Sequence, residues 1–520
     1  MNVFQRIYCR LFQGVFHIAI PILPYREPRI LHSIQELPAE FKKQNIKRVF
    51  LVTDSVLRKL AGELEALLPA EWIDCVVYDK TMPNPTESNI EEAYNTYKTS
   101  GCQAIIGFGG GSIIDCAKAV GIRVARPNKK LAQLKGILKV HHKLPLLAAI
   151  PTTAGTGSET TVATIITDDK THYKYPISDF PLIPRIAVLD SKVTFTMPAN
   201  LTAATGMDAL THAIEAFIGG STIKKSREYA IKAVQLILAN IENAYKNGYD
   251  ETARKNMLIA ANLAGNAFSL SYVGYVHAVA HSLGGAYNIP HGLANSVLLP
   301  IVLKRYGSKV WKKLKILAVA CGIADETDSA QTATEKFIAE IYRLNKAMGI
   351  PLTLKNIKVE DIPELARRAD KEANPLYPVP VLWNAKELEY FYYEVMDTEI
   401  DMLKPEIQLI LEKQRKFFDT GATLPLNTRI DALKRLYRYI KDHQKEISAA
   451  LTADLGKSSL ECFMCEEGLV LSEITYMLKH IRQFARDEKK YTPITNFAAT
   501  SYIKKSPYGN VLIMSPWNYP

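Results

Sequence analysis

The stretch HAVAHSLGGAYNIPHG, residues 277–292, holds three of the chain's eleven histidines. His277 and His281 are four apart, so a helix sets them on one face. His291 follows a Gly-Gly pair and a proline, which predicts a second element returning toward the first. Upstream, GMDALTHAIEAF (206–217) places Asp208 and His212 at the same helical spacing. Asp208 and His212, with His277 and His291 fourteen residues apart, give one carboxylate and three imidazoles, which suit a borderline divalent ion, Fe2+ or Zn2+, with a position left open for substrate. Any one of these histidines alone is more often a packed core or surface residue. Their pairing on helices of one segment favours the metal reading.

A different chemistry is encoded in AIIGFGGGSIIDCAKAV (104–120), a buried strand, a glycine cluster and an amphipathic helix. Gly109, Gly110, Gly111 and Ser112 would let backbone N–H groups approach a pyrophosphate, helped by the dipole of the helix that follows. A tight turn would need glycines too, so further features must decide. Asp54 closes the strand RVFLVTD, where a carboxylate can accept from ribose hydroxyls and repel a 2′-phosphate. In PTTAGTGSETT (151–161), Thr152, Thr153 and Thr156 place hydroxyls at the end of another strand. The usual Rossmann fingerprint has its glycines first and its acid about twenty residues later. Here Asp54 precedes Gly109 by 55 positions, so a related but different dinucleotide fold is expected.

These residues need elements to hold them. From Lys47 to about Asp190 the runs 48–54, 74–79, 103–111, 144–154 and 185–190 read as strands separated by helices. That alternation predicts an α/β parallel sheet covered on both faces. Residues 200–396 read as helix after helix, and near 396 the texture changes again. The expected division is a dinucleotide-binding α/β domain over 1–192, an all-α metal-binding domain over 193–396, and a third segment over 401–520.

Residues 1–396 resemble an iron-containing (group III) alcohol dehydrogenase. The resemblance rests on VTD (52–54), PNPT (83–86), GGGSIID (109–115), PTTAGTGSE (151–159), GMDALTHAIE (206–215) and the 277–292 stretch. It implies a dehydroquinate-synthase-like fold, a Rossmann-like parallel-sheet domain followed by a helical metal domain. It also implies metal ligation by Asp208, His212, His277 and His291, with His281 as the proton-relay histidine. Asn84, Gly110, Gly111, Ser112, Asp115, Thr152, Thr153 and Lys174 fall on cofactor-contacting positions, and Asp54 on the position favouring NAD over NADP. The implied activity interconverts primary alcohols and aldehydes with NAD(H) and Fe2+, Zn2+ being the other candidate. Rival readings are a zinc polyol or glycerol-type dehydrogenase and a lyase or isomerase of the dehydroquinate-synthase type.

Residues 401–520 resemble the N-terminal part of an aldehyde dehydrogenase of the class 3-like branch, on 429–458, 466–482 and SPYGNVLIMSPWNYP (506–520). In that family the asparagine of PWNYP, here Asn518, helps form an oxyanion hole. The family's cofactor glycines, general base and nucleophilic cysteine would follow beyond Pro520. The segment is therefore expected to be an incomplete, fused piece without aldehyde-oxidising activity, with uncovered strand edges and apolar faces. A purely structural role, docking a partner subunit, is the alternative.

The whole-chain figures frame these readings. With 520 residues, 48% hydrophobic and 22% charged, the chain has the composition of a soluble globular protein. Its net charge of +11 forms no basic tail or aromatic-basic stripe, so no nucleic-acid partner is expected. The seven scattered cysteines fit reduced thiols, and Cys462-Phe-Met-Cys465 reads as two small buried residues on one helix face. The N-terminal apolar run, broken by Gln13 and His17, is too short to span a bilayer and lacks a signal-peptide cleavage pattern. An amphipathic helix packed on the protein, at a subunit contact, is expected instead. No membrane partner, a cytoplasmic location and a homodimer or higher oligomer complete the reading.

Overall fold

The runs RVFLV, AIIGFG, LLAAIP and IAV carry apolar side chains at successive rather than alternate positions, so both faces of each strand must be covered. The computed structural model describes residues 1, 3–171, 174–397 and 404–513. It places in chain order β1 (Arg29–Leu31), β2 (Arg48–Val52), β3 (Asp74–Tyr78), β4 (Ala104–Gly109), β5 (Gly136–Ile137), β6 (Leu146–Pro151), β7 (Ala163–Thr167), β8 (Lys174–Ser178) and β9 (Ile186–Val188). Six of them form a wholly parallel sheet in the order β1-β9-β6-β4-β2-β3. The five strands expected from sequence are β2, β3, β4, β6 and β9. Sequence reading missed β1, only three residues long, and the small sheet β5-β8-β7.

Helix α1 (Val3–Ala19) precedes the sheet, and α2 (Leu37–Lys43), α3 (Arg58–Glu65), α4 (Glu87–Ser100) and α5 (Gly111–Ala125) cover it. On one face Phe41, Ala61 and Leu64 pack with Val49, Leu51 and Ile106. On the other, Ile90, Cys116 and Val120 pack with Phe50, Val52 and Ile105. The helical part follows as α6 (Ala199–Ile218), α7 (Lys224–Lys246), α8 (Glu251–Ser271), α9 (Tyr275–Tyr287), α10 (His291–Tyr306), α11 (Trp311–Ala320), α12 (Ala330–Ala347), α13 (Ile362–Ala373) and α14 (Ala385–Val395). Every residue of α6 from Gly206 to Ile218 is buried, so the other helices surround it. A helix buried on all sides must find partners for Asp208, His212 and Glu215, because an unpaired buried polar group is costly.

Sheet and helices together make one compact unit, Met1–Asp397; the remainder of the chain forms another. In that second unit α15 (Lys404–Asp419), α16 (Leu426–Asp442), α17 (Gln444–Leu455), α18 (Ser459–Cys462) and α19 (Gly468–Phe484) precede an antiparallel pair, β10 (Glu488–Lys490) and β11 (Ser501–Ile503). The helical stretch of this unit ends at Phe484. The CxxC expectation needs correction: Cys462 is buried but Cys465 is exposed. A π-helical turn over Phe463–Glu467 is wider than an α-turn and rotates Cys465 off the buried face. Asn518 lies outside the described residues. None of the cysteines is bonded to another, and no helix among the described residues is long and apolar enough to cross a membrane.

Candidate metal centre and nucleotide edge

Helix α6 presents Asp208 and His212 one turn apart, and Glu215 one turn further on the same side. Helix α9 contributes His277 and His281. It ends at Asn288, which takes a left-handed φ of 53°, and α10 starts three residues later with His291 in its first position. The chain thus reverses as the Gly-Gly…Pro pattern predicted. Close helix approach completes the convergence: a Cβ at Gly292 would lie 2.3 Å from the carbonyl oxygen of Ala204 on α6.

One donor atom each from Asp208, His277 and His291 lies within 4.8 Å of the other two. Nε2 of His277 is 3.7 Å and Nε2 of His291 3.4 Å from Asp208 Oδ1. His212 stands beside this group rather than in it. Its ring stacks on Phe268 with centroids 4.3 Å apart, its Nδ1 is 4.0 Å from Asp208 Oδ2, and its centroid is 4.3 Å from that of His277. His277 Nε2 and His212 Nδ1 are both buried without a hydrogen-bond partner among the described residues. Two orphaned imidazole nitrogens facing a buried carboxylate fit a divalent cation, which would satisfy both. Burial opposes charge on Asp208, yet the surrounding histidines hold its carboxyl well below the usual range. Burial takes the His212 imidazole down to about 3.

Around these residues lies a shell that sequence reading did not single out. Glu215 accepts from the backbone N–H of Gly274 (2.8 Å) and of Val276 (2.8 Å) and pairs with His277 Nδ1 at 2.6 Å. It therefore caps α9 and leaves His277 Nε2 to face Asp208. Asn295 donates to Asp208 Oδ1 at 2.6 Å. His281, a third exposed, stacks on His291 with centroids 5.0 Å apart and holds Glu372 Oε1 at 2.6 Å from its Nδ1. Tyr377 donates to the same Glu372 oxygen at 2.7 Å. Glu215 was legible, being three residues beyond His212 on the same face. Glu372 is 91 residues from His281, and nothing local marks it.

The residues expected to contact a nucleotide gather at the carboxyl ends of the parallel strands. β4 lies between β2 and β6, and the chain runs from β2 out to β3 before crossing back to β4. Strand order therefore reverses between β2 and β4, the place where open α/β sheets bind ligands. In register, Val52 of β2 pairs with Gly107 of β4, and Thr53 Oγ1 donates to the Phe108 carbonyl at 3.0 Å. Asp54 is thus a spatial neighbour of Gly109 despite the reversed sequence order; its Oδ1 accepts from the Leu57 N–H at 2.7 Å. Gly110 caps α5, with Gly111 and Ser112 in its first turn. A Cβ on Gly111 would come within 2.8 Å of Thr156. Thr152 and Thr153 follow β6, and the Thr152 N–H donates to the Gly109 carbonyl at 3.1 Å. Asn84 joins them, its N–H donating to Ser112 Oγ at 3.3 Å and its Oδ1 accepting from Lys174 Nζ at 2.8 Å. Asp115 faces elsewhere: its carboxylate accepts from Ser158 Oγ (2.9 Å) and the Ile165 N–H (3.1 Å), tying α5 to β7.

Residues 30–191 match the profile described as iron-containing alcohol dehydrogenase, and residues 202–395 that of the C-terminal part of the same family. The 1,3-propanediol dehydrogenase of Citrobacter freundii is 39% identical over 382 residues, 72% of this chain and 97% of that one. The chain belongs to the iron-containing alcohol dehydrogenases. Another member, the NAD-dependent methanol dehydrogenase of Bacillus methanolicus, is 34% identical over 65% of this chain and 89% of its own length. A crystal structure of a 1,3-propanediol oxidoreductase superposes with a TM-score of 0.69 at 34% identity, covering 72% of this chain and 99% of that one. This family member is thus an oxidoreductase of alcohols and aldehydes, its fold a parallel-sheet domain followed by a helical one. Residues 394–520 match the aldehyde dehydrogenase family.

Proposed function

We propose that the chain is an iron-dependent alcohol dehydrogenase that interconverts primary alcohols and aldehydes with NAD(H). The observation that carries this reading is the convergence of Asp208, His277 and His291, with His277 Nε2 and His212 Nδ1 buried and unpartnered among the described residues. Asp208, His212, His277 and His291 would hold the ion. When bound, a divalent cation supplies Lewis acidity to an alcohol oxygen and a nicotinamide accepts or returns the hydride. Glu215 fixes the His277 tautomer through Nδ1, and Glu372, itself bonded by Tyr377, orients the His281 ring. His281, partly exposed beside His291, moves the substrate proton toward solvent. The N-terminus of α5, with Gly109, Gly110, Gly111 and Ser112, receives the pyrophosphate. Asn84, Thr152, Thr153, Thr156 and Lys174 flank it, Asp115 positions α5 behind it, and Asp54 disfavours a 2′-phosphate.

The same donor set accommodates Zn2+, which makes a zinc polyol dehydrogenase the second reading. Short primary alcohols and aldehydes are the proposed substrates, the cytoplasm the proposed location, and a homodimer or larger assembly the proposed state. Residues 401–520 are proposed to oxidise no aldehyde themselves, since Asn518 is the only residue there that matches that family's chemistry. The test is anaerobic purification, metal analysis, and aldehyde-dependent oxidation of NADH and NADPH by iron- and zinc-loaded protein. Iron-dependent turnover with NADH preferred is expected. Full metal retention by His277→Ala, or equal efficiency with NADPH, would overturn the corresponding assignment.

A further inference from the structure

Helix α1 is docked by its polar residues. Gln13, 6% exposed, donates from Nε2 to the carbonyls of Pro375 (3.2 Å) and Tyr377 (2.7 Å). Arg10 donates to the carbonyls of Val379 (2.7 Å) and Pro380 (3.1 Å) and to Gln13 Oε1 (2.8 Å). Cys9, the residue before Arg10, is buried on the same side, and Ile20 is buried just past the helix end. The opposite face is apolar and open: Phe4 is 84% exposed, Leu11 65%, Val15 68% and Ile18 71%, with Ile7 and Tyr8 more than half exposed. Positions 4, 7, 8, 11, 15 and 18 form one stripe along the helix, about 21 Å long at 1.5 Å per residue. The helix has its amphipathicity inverted, with polar groups inward and hydrocarbon outward.

We propose that this stripe is a two-fold contact between copies of the chain, α1 packing antiparallel on α1 of the second copy. The inference rests on the proposed self-association and names the surface responsible. The pattern is self-complementary about Leu11. A two-fold axis there sets Phe4 against Ile18 and Ile7 against Val15, and gives Tyr8 the position facing Gly14. At Gly14 a Cβ would meet nothing within 4 Å inside one copy, so the space above it is free for an incoming ring. An isologous interface requires such self-matching. The stripe itself carries no charge, so pairing buries no like charges. Its exposed side chains offer on the order of 800 Å² per copy, what a standard-size interface buries on each partner. Tyr8, one turn from the axis, places an aromatic ring near the centre of the patch, a residue type favoured there. A helix lying on a lipid surface keeps its cations on the polar face, in water or against headgroups. Here Arg10 is committed to protein carbonyls and Arg6 lies 3.8 Å from Glu387, so a second protein surface is the occupant the helix fits. The helix lies ahead of residues 30–191, the first stretch that matches the family profile.

The test is sedimentation velocity on the full chain from nanomolar to micromolar concentration, for the parent, Leu11→Glu and Gly14→Gln. The parent is expected to self-associate. Leu11→Glu, which opposes two carboxylates on the axis, and Gly14→Gln, which fills the Tyr8 position, should each weaken association at least about 100-fold. Unchanged melting temperature and circular dichroism would show that the variants are folded. An oligomer of unaltered mass in both variants would overturn the assignment of the surface while leaving self-association standing. A monomeric parent across the range would overturn both. Flotation of the parent with phosphatidylserine-containing vesicles, lost in Leu11→Glu, would assign the stripe to lipid and refute the proposal.

Discussion

Two carboxylates outside the proposed metal-binding quartet each hold a histidine: Glu215 holds the proposed ligand His277 and Glu372 the proposed relay His281. Glu215 is buried and takes three donors, of which two are backbone N–H groups of α9 and the third is His277 Nδ1. Glu215→Gln keeps the shape but replaces one acceptor oxygen by an NH2 that faces a donor. Metal affinity should fall about 10- to 100-fold, as for other carboxylates that orient a ligating imidazole. Competition with a chelator measures this, and unaltered affinity would remove Glu215 from the site. Glu372 acts on His281 instead. Its carboxylate holds the ring through Nδ1, so in Glu372→Gln, which offers an amide in place of that acceptor, kcat should fall about tenfold or more. KM should change little, which separates this effect from a packing defect. Asp208 with His212 and His277 with His281 were legible as pairs because residues at i, i+4 share a helix face. Glu372 was not, because its partnership with His281 is made by packing of α13 against α9.

At the scale of elements, the proposed nucleotide edge depends on how closely α5 approaches the turn after β6. Gly111→Ala places its methyl within 2.8 Å of Thr156 Cγ2 and 2.9 Å of its Oγ1, so the α5 N-terminus and the 151–157 turn must separate. The expected result is a rise of about tenfold or more in the Kd for NADH, measured by fluorescence titration, with metal content unchanged. Gly110→Ala meets only Thr153, at 3.4 Å, and should be milder. The ranking tests the geometry better than either variant alone. These strands were legible because both-face burial gives them continuous apolar runs, and the helices because their periodicity is strong. The short β1 carries too little pattern to register, and β5, β7 and β8 pair through contacts made only after folding. The reversed order of Asp54 and the glycines looked like a mismatch in one dimension. Strand register resolves it, since β2 lies beside β4.

For the molecule as a whole, the two units differ in how much they bury. The first has sheet and helix cores built from fully enclosed side chains, Phe50, Phe108, Phe217 and Phe337 among them. In the second, the buried side chains among the described residues are Ile430, Leu451, Cys462, Glu467, Ile474 and Ile481. Phe417, Leu460, Tyr476, Phe497, Tyr508 and Leu512 are exposed instead. Its only strand pairing among the described residues is the three-residue β10-β11 ladder, and isolated two-stranded pairs are marginal in water. With so little apolar area removed from water, opening of the second unit must cost far less than opening of the first. Amide exchange on the full chain should therefore protect β2, β4 and α6 strongly and α15–α19 weakly. Limited proteolysis should degrade the second unit first and leave a resistant product ending near residue 397, which retains its metal and its NADH-dependent aldehyde reduction. Resistance extending through residue 500, or loss of activity in step with the cleavage, would show instead that residues beyond 397 complete the enzyme.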